Sequence, residues 1–334
     1  MSLIKVTDQL IVKLALLPLV TGLAMYSIRR FAAGGRCNAT PDLTGRYAII
    51  TGANTGIGLE TAVVLARLGA HVTVASRDSD RTRQAVKTIR NRSGSHLVSA
   101  IYIDLADLES VRGFVDQYKA TGNPLHILVN NAGIMMNPQR EETVQGFERQ
   151  FGVNHLSHYL LTYLLLPILE ASAPARVVSL ASIAHRCGNM DFSDLQCRDS
   201  PYSPLAVYGR SKLANIMFAH ELNKRMASRG VTAYSVHPGL VRTELARYCL
   251  DSWWKRAITF PFRITTPIVF KTPEEGAQST LHCLLTPLSE LDPGKYYVDC
   301  RKSHVYRSEA YDADVCERLW VESAKLVGVD AALY

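Results

Sequence analysis

Ala48-Ile-Ile-Thr-Gly-Ala-Asn-Thr-Gly-Ile-Gly58 joins a short β-branched run to a glycine-rich turn and then to a helical pattern over 57–68. Glycines 52, 56 and 58 let the backbone turn tightly and approach a pyrophosphate at the helix N-terminus, where N–H groups are unpaired and the dipole favours anions. Asn54, Thr55 and Ile57 complete the face that such a ligand meets. An ordinary strand–helix turn also uses glycines, but the strand–turn–helix context favours a dinucleotide site.

The alternation continues outward from this turn. Runs at 71–75, 100–103, 127–129, 176–179 and 231–236 read as strands, and a seventh is expected near 295–298. Helical patterns lie near 80–91, 108–121, 144–170, 207–228 and 274–285. This order predicts an α/β fold: a single Rossmann-type doubly wound parallel sheet of about seven strands, with helices on both faces. An amphipathic helix carrying Val315, Leu319, Trp320 and Leu326 closes the chain.

The second strand ends at Ala75-Ser76-Arg77, about twenty residues beyond the glycines. An acidic residue there suits the ribose hydroxyls of NAD, whereas Ser76 and Arg77 suit a 2′-phosphate and point to NADP(H). Asp104, with Leu105 beside it, follows the third strand and is placed to accept from an adenine amino group. Asp104 is equally placed to cap the helix beginning near Leu108.

The chain has 334 residues, of which 47% are hydrophobic and 20% charged, which excludes disorder, collagen-like repeats and a polytopic membrane protein. Seven cysteines are odd in number and widely spaced, with no C-x-x-C pair, so free thiols in a reducing compartment are expected. Four of the seven net positive charges fall in residues 1–40, and the remainder is too weakly basic for a nucleic-acid-binding face.

Those first forty residues are read as a membrane anchor and basic linker, with 41–334 as one domain. Leu10 to Ile28 carries only Lys13 as a charge, and at about 1.5 Å per residue it spans roughly 28 Å, near the thickness of a bilayer core. Ala32-Ala33-Gly34 offers a signal-peptide cleavage site as the rival reading. The length of the apolar run and Arg29-Arg30 directly after it favour a retained anchor with its C-terminal side in the cytoplasm. The sequons at Asn38 and Asn91 matter only if that side is lumenal.

Tyr208-Gly-Arg-Ser-Lys212 sets a phenol and an ammonium four residues apart on one helix face. A phenol with a reference pKa near ~10 exchanges protons poorly at neutral pH, and a nearby ammonium favours its ionised form. Alone, such a pair is common on surfaces. Here it follows a glycine-rich turn and a strand ending near Ser182.

Six ordered motifs carry a resemblance: Thr51–Gly58, Asn130-Asn-Ala-Gly133 with Ile134-Met-Met136, Gly152-Val-Asn-His155, Ser182, Tyr208-x-x-x-Lys212 and Ser235-Val-His-Pro-Gly239, with Lys271–Ala277 extending it. Over residues 41–325 the chain resembles the short-chain dehydrogenase/reductase family, and specifically its microsomal retinol dehydrogenase branch. The resemblance implies that Tyr208 donates a proton to a carbonyl, that Lys212 lowers the tyrosine pKa and holds the nicotinamide ribose, and that Ser182 binds the substrate oxygen. It implies that Asn154 helps hold a water relaying protons through Lys212. Asn130, Asn131, Ala132 and Gly133 would line the cofactor pocket, and Pro238, Gly239, Val241 and Thr243 would flank the nicotinamide. No step needs a metal, and His155 and His158 are expected to pack or hydrogen-bond within their helix. Two departures are Leu180-Ala181, where Ser-Ser is usual, and Gly209-Arg210, whose glycine would let substrate or cofactor approach.

A lid near 240–271 containing Trp253-Trp254 is expected to cover the substrate or to meet the membrane interface. The resemblance implies an NADP(H)-dependent oxidoreductase interconverting a lipophilic aldehyde and its primary alcohol, retinal foremost, at the endoplasmic reticulum membrane. A hydroxysteroid or another lipid carbonyl is the alternative substrate. An idle NADPH-binding regulator is the alternative class, and it would be expected to lack one of Asn154, Ser182, Tyr208 or Lys212. Homodimers through the helices near 108–121 and 144–170, or through sheet edges, are implied as well.

Overall fold

The computed structural model describes residues 21–77, 79–242 and 270–334. An eight-stranded sheet in the order β3-β2-β1-β4-β5-β6-β7-β8 forms the centre. Its strands are β1 (Tyr47–Thr51), β2 (His71–Ser76), β3 (Val98–Tyr102), β4 (Ile127–Asn130), β5 (Ala175–Leu180), β6 (Val231–His237), β7 (Tyr296–Val298) and β8 (Arg301–Lys302). All pair in parallel except β7 with β8. The expected seven strands are present. The eighth is a two-residue hairpin arm that turns through Asp299 and Cys300 at φ 52° and 59°. Positive φ at both central residues is the hairpin geometry that Asn-Gly usually announces, so the turn carries no glycine signal.

Residues 21–33 are helical (α1). The helices α2 (Gly56–Arg67), α3 (Asp80–Ser93), α4 (Leu108–Ala120), α5 (Arg149–Phe151), α6 (Ser157–Ala171), α7 (Pro204–Met226), α8 (Pro273–Leu285) and α9 (Ala313–Val327) follow. Two buried apolar clusters show how the sheet is sandwiched. One joins its alternate residues (Ile49, Leu128, Val177, Ala233) to α4, α6, α7 and α9. The other joins Ile50, Val129, Val178 and Val236 to α2 and α8. The period-2 alternation of each strand thus feeds both layers.

The helix expected over 144–170 is different in form. Gly146 turns at φ 79°, and Glu148 then caps the single turn α5 by accepting from Gln150 N and Phe151 N. A π-helix over Gly152–Leu156 leads into α6. At the other end of the chain α9 lies against α6 and α7, with the Trp320 ring 5.0 Å from Tyr159 and 6.0 Å from Phe218.

The N-terminal segment is fastened to the domain. Arg29 reaches Glu275 in the first turn of α8, and Cys37 N donates to Gln278 Oε1 at 3.0 Å. Among the described residues no helix is long and apolar enough to cross a membrane. Most of the expected anchor, residues 10–20, lies outside the described residues, as do residues 243–269 of the expected lid.

Candidate active site

β1 pairs with β2 on one side and β4 on the other, so the chain leaves β1 and β4 toward opposite ends of the sheet. A crevice opens beyond the carboxyl ends of such strands. The turn 52–55, Asn131–Gly133, Ser182 and Pro238–Gly239 all lie at those ends, as the sequence order requires.

In the first turn Gly52 adopts φ 65°, and a Cβ there would sit 3.0 Å from Ala132 Cα. A Cβ on Gly58 would lie 2.5 Å from Asn131 Nδ2. Both glycines are therefore needed for contact between the turn and the β4 loop. Asn131 seals that contact through Nδ2 to Thr51 O at 2.7 Å, and its N–H donates to Thr51 Oγ1 at 2.9 Å. Helix α2 starts at the exposed Thr55 with no side-chain cap and no acidic residue in its first turn. Helices α3, α4, α7 and α8 instead take caps from Ser79, Asp107, Ser203 and Thr272. The uncapped N–H groups of α2, beside half-buried Asn54 and Ile57, form a cradle that fits a pyrophosphate.

At the end of β2, Ser76 is buried against Thr82 Oγ1 at 3.0 Å, and the Arg77 side chain is exposed. Asp104 accepts from Ala106 N at 2.9 Å, and Leu105 is buried beside it. The cap of α4 is Asp107, which accepts from Glu109 N, so the capping alternative for Asp104 is excluded.

Tyr208 and Lys212 share the buried face of α7, and each is 4% exposed. Ser203 caps the helix and Pro204 occupies its first turn, which fixes where the helical register begins. Ser182 caps the 3-10 turn Ile183–Cys187 at the end of β5. Burial pushes the Tyr208 phenol up to about 12, and a hydrogen bond with Ser182 opposes it. The same burial brings the Lys212 ammonium down to about 8. Lys212 Nζ donates to Leu180 O at 3.1 Å and lies 5.6 Å from the Tyr208 ring centre. Desolvation is the larger influence on the phenol.

Asn154 lies in the π-helix with its side chain fully engaged. Oδ1 accepts from Ile134 N at 2.9 Å, and Nδ2 donates to Ile134 O and Ser211 Oγ, each at 3.0 Å. A Cβ on Gly133 would lie 3.1 Å from Asn154 Oδ1 and 3.5 Å from Lys212 Nζ, which brings the β4 loop, the π-helix and α7 to one point. Asn130 sits beneath, donating to Thr162 Oγ1 at 2.9 Å.

Beyond β6, Pro238 and Gly239 lead to Val241, which pairs with Lys271 across the 243–269 segment. Val241 and Ile57 converge on Gly276 of α8. Lys271 is buried, forms an ion pair with Asp299 and packs on Gly239. Thr243 lies outside the described residues.

One reading changes. What approaches Gly209 is backbone: a Cβ there would meet Ala184 O at 2.5 Å and Gly188 N at 2.7 Å, leaving no room for a ligand. Arg210 carries the neighbouring loop, donating to Asn189 O, Asp194 O and Leu195 O at 3.0, 2.7 and 2.9 Å. His185 bonds Ser182 O through Nδ1 at 2.7 Å and meets Tyr306 N through Nε2 at 3.3 Å. Sequence reading also missed Gln150, whose buried amide joins Met136 N to Tyr202 OH and Pro204 O. Flanked by Arg149 and Phe151, it carries no signal in the sequence pattern.

The family profile for short chain dehydrogenases matches residues 46–252. Retinol dehydrogenase 12 of Mus musculus is 47% identical over 305 residues, covering 91% of this chain and 93% of that protein. Retinol dehydrogenase 11 of Homo sapiens is 42% identical over 319 residues (95% and 96%), and polyprenol dehydrogenase of Mus musculus is 43% identical over 307 residues (90% and 89%). A crystal structure of an uncharacterized protein from Mycobacterium paratuberculosis shares 34% identity at a TM-score of 0.71, covering 89% of this chain and 98% of that one. With its turn, β4 loop, serine and Tyr-Lys helix gathered at the carboxyl ends of the central strands, the chain belongs to the short-chain dehydrogenase family and is an oxidoreductase acting on alcohols and their carbonyl partners.

Proposed function

We propose that the protein interconverts a lipophilic aldehyde and its primary alcohol with NADP(H), reduction of retinal being the leading reaction. The observation that carries this is Tyr208: a buried phenol, protonated throughout the neutral range although Ser182 acts against that rise, one helical turn before Lys212. Relatives that cover most of the chain are retinol and polyprenol dehydrogenases. Both named alcohols are long isoprenoid chains ending in an allylic CH₂OH, and that shared chemistry defines the substrate class.

When bound, the cofactor would supply hydride chemistry at the carbonyl carbon. The turn 52–58 would hold its pyrophosphate, Ser76 and Arg77 its 2′-phosphate, and Asp104 with Leu105 its adenine end. Asn131–Gly133, Pro238, Gly239, Val241 and Thr243 would line the nicotinamide end. Ser182 orients the substrate oxygen by donating to it, and Tyr208 passes its proton to that oxygen. Lys212 would hold the ribose and, as a cation, stabilise the phenolate left behind, which regains its proton through the path that Asn154 supports.

Residues 1–40 are proposed as anchor and linker to the endoplasmic reticulum membrane, with the domain 41–334 facing the cytoplasm and the 240–271 stretch as substrate lid. Pairing of two copies through α4 and α6 or a sheet edge belongs to the same proposal. The test is reduction of all-trans-retinal by membranes carrying the chain, with NADPH against NADH and Arg77→Glu beside wild type. NADPH-driven turnover that Arg77→Glu lowers by about 10–100-fold, the worth of one or two charge-assisted hydrogen bonds, supports the reading. Activity with NADH alone overturns the cofactor assignment, and inert retinal beside another reduced carbonyl overturns the substrate.

A further inference from the structure

His158 stands on the first turn of α6 and is 2% exposed, yet neither ring nitrogen is idle. Nε2 lies 2.9 Å from Thr51 Oγ1, and Nδ1 lies 3.1 Å from Asn154 O. The Thr51 oxygen already receives two N–H groups, from Asn131 at 2.9 Å and Ala132 at 3.0 Å, which fill its acceptor sites. Its single proton has two acceptors in reach, Val129 O at 3.3 Å and the ring at 2.9 Å, and the nearer is the ring. Nε2 is then bare, and the ring proton sits on Nδ1, facing a carbonyl that can only accept. The bonding pattern thus selects one neutral tautomer. Burial, together with the Lys212 charge, holds the imidazole near 4, so it stays neutral across the working range; His155 is the other titrating neighbour.

The ring consequently links two parts of the site. Through Thr51 it steadies the backbone of Asn131 and Ala132, the wall of the cofactor pocket. Through its other nitrogen it grips Asn154 O inside the π-helix, where the backbone ladder departs from its usual i→i−4 form. The Asn154 side chain is spent on Ile134 and Ser211, so the carbonyl is the group this residue still offers to the site.

We propose that His158 is a positioning residue that sets the Asn154 carbonyl for the proton path serving Tyr208 and Lys212 while bracing the cofactor wall through Thr51. This rests on the reductase reading above. The two halves are separable, because an asparagine amide nitrogen falls near the position of Nδ1 and a glutamine amide near that of Nε2. His158→Asn keeps a donor for Asn154 O and drops Thr51, whereas His158→Gln keeps an acceptor for Thr51 and drops Asn154.

The experiment is steady-state retinal reduction by the membrane-bound full chain, with pH profiles of kcat, beside NADPH binding followed by fluorescence. The expected result is a split: about tenfold weaker NADPH binding with kcat held within about threefold for His158→Asn. For His158→Gln, NADPH affinity is retained while kcat falls about tenfold and the basic limb of its pH profile moves. Equal losses in both variants, or lowered melting temperatures with unchanged kinetics, would assign His158 a packing role only and overturn the proposal. If wild type reduces retinal and the variants match it, the positioning role fails and the reductase reading stands. If wild type shows no turnover, the reductase reading fails, and the NADPH affinities of the two variants still decide the Thr51 half.

Discussion

Arg29 Nη2 lies 2.5 Å and 2.6 Å from the two carboxylate oxygens of Glu275, tying the N-terminal helix to the first turn of α8. Glu275 also completes the capping box of that helix: its carboxylate accepts from Thr272 N at 2.9 Å, and Thr272 Oγ1 accepts from Glu275 N at 3.2 Å. One carboxylate thus serves a helix start and a long-range tether, and Arg29 holds it below the usual carboxylate range despite partial burial.

Removing the two partners should therefore have unequal effects. Arg29→Ala loses a partly buried ion pair and should lower stability by about 1 kcal/mol. Glu275→Ala loses that pair and half of the capping box, a further ~1 kcal/mol. Thermal unfolding of both single variants and the double variant checks this, the double matching Glu275→Ala.

Lys212 makes stability depend on pH in a definite direction. Its ammonium titrates near 8 in the folded chain, below its ordinary 10.5. Between those values the unfolded chain binds the proton and the folded chain does not, so stability rises with pH across that window. Below pH 8 both states are protonated and the cost of burying the charge is fully present. Lys212→Met should therefore melt higher than wild type at pH 7 without cofactor, by a margin that shrinks as pH climbs from 8 to 10.5. A margin independent of pH would contradict the assignment.

Gly209 predicts a loss of activity without any contact to a ligand. An alanine methyl there collides with the Ala184 carbonyl and the Gly188 amide, forcing α7 away from the 3-10 turn that carries Ser182. Since Tyr208 precedes this glycine, Tyr208 should move away from Ser182. Gly209→Ala is expected to lower kcat more than tenfold while NADPH still binds, read by turnover beside a cofactor titration.

The site's outline was legible because its chemistry depends on spacing along single elements. Gly52 to Gly58, Ser76-Arg77 and Tyr208 to Lys212 each sit on one turn or helix, and periodicity places them. What was hidden depends on contacts between distant elements. Gly209 reads as a helix flaw until Ala184 is brought against it, and His158 reads as one more helical histidine until Thr51 arrives from β1. The π-helix at Asn154 is a change of winding that side-chain pattern does not record. The β7–β8 hairpin escapes because Asp299 and Cys300 take positive φ without the usual residues.

The most direct test of the account is Tyr208→Phe, assayed for NADPH-dependent retinal reduction in membranes, with NADPH binding measured on the same preparation. Removing one oxygen leaves the ring, the helix and the cofactor cradle in place and takes away only the proton donor. Unchanged NADPH affinity and a loss of at least about 10²-fold in kcat, the usual worth of a positioned acid, are expected. Retained turnover in the variant would contradict it and move the proton to another group.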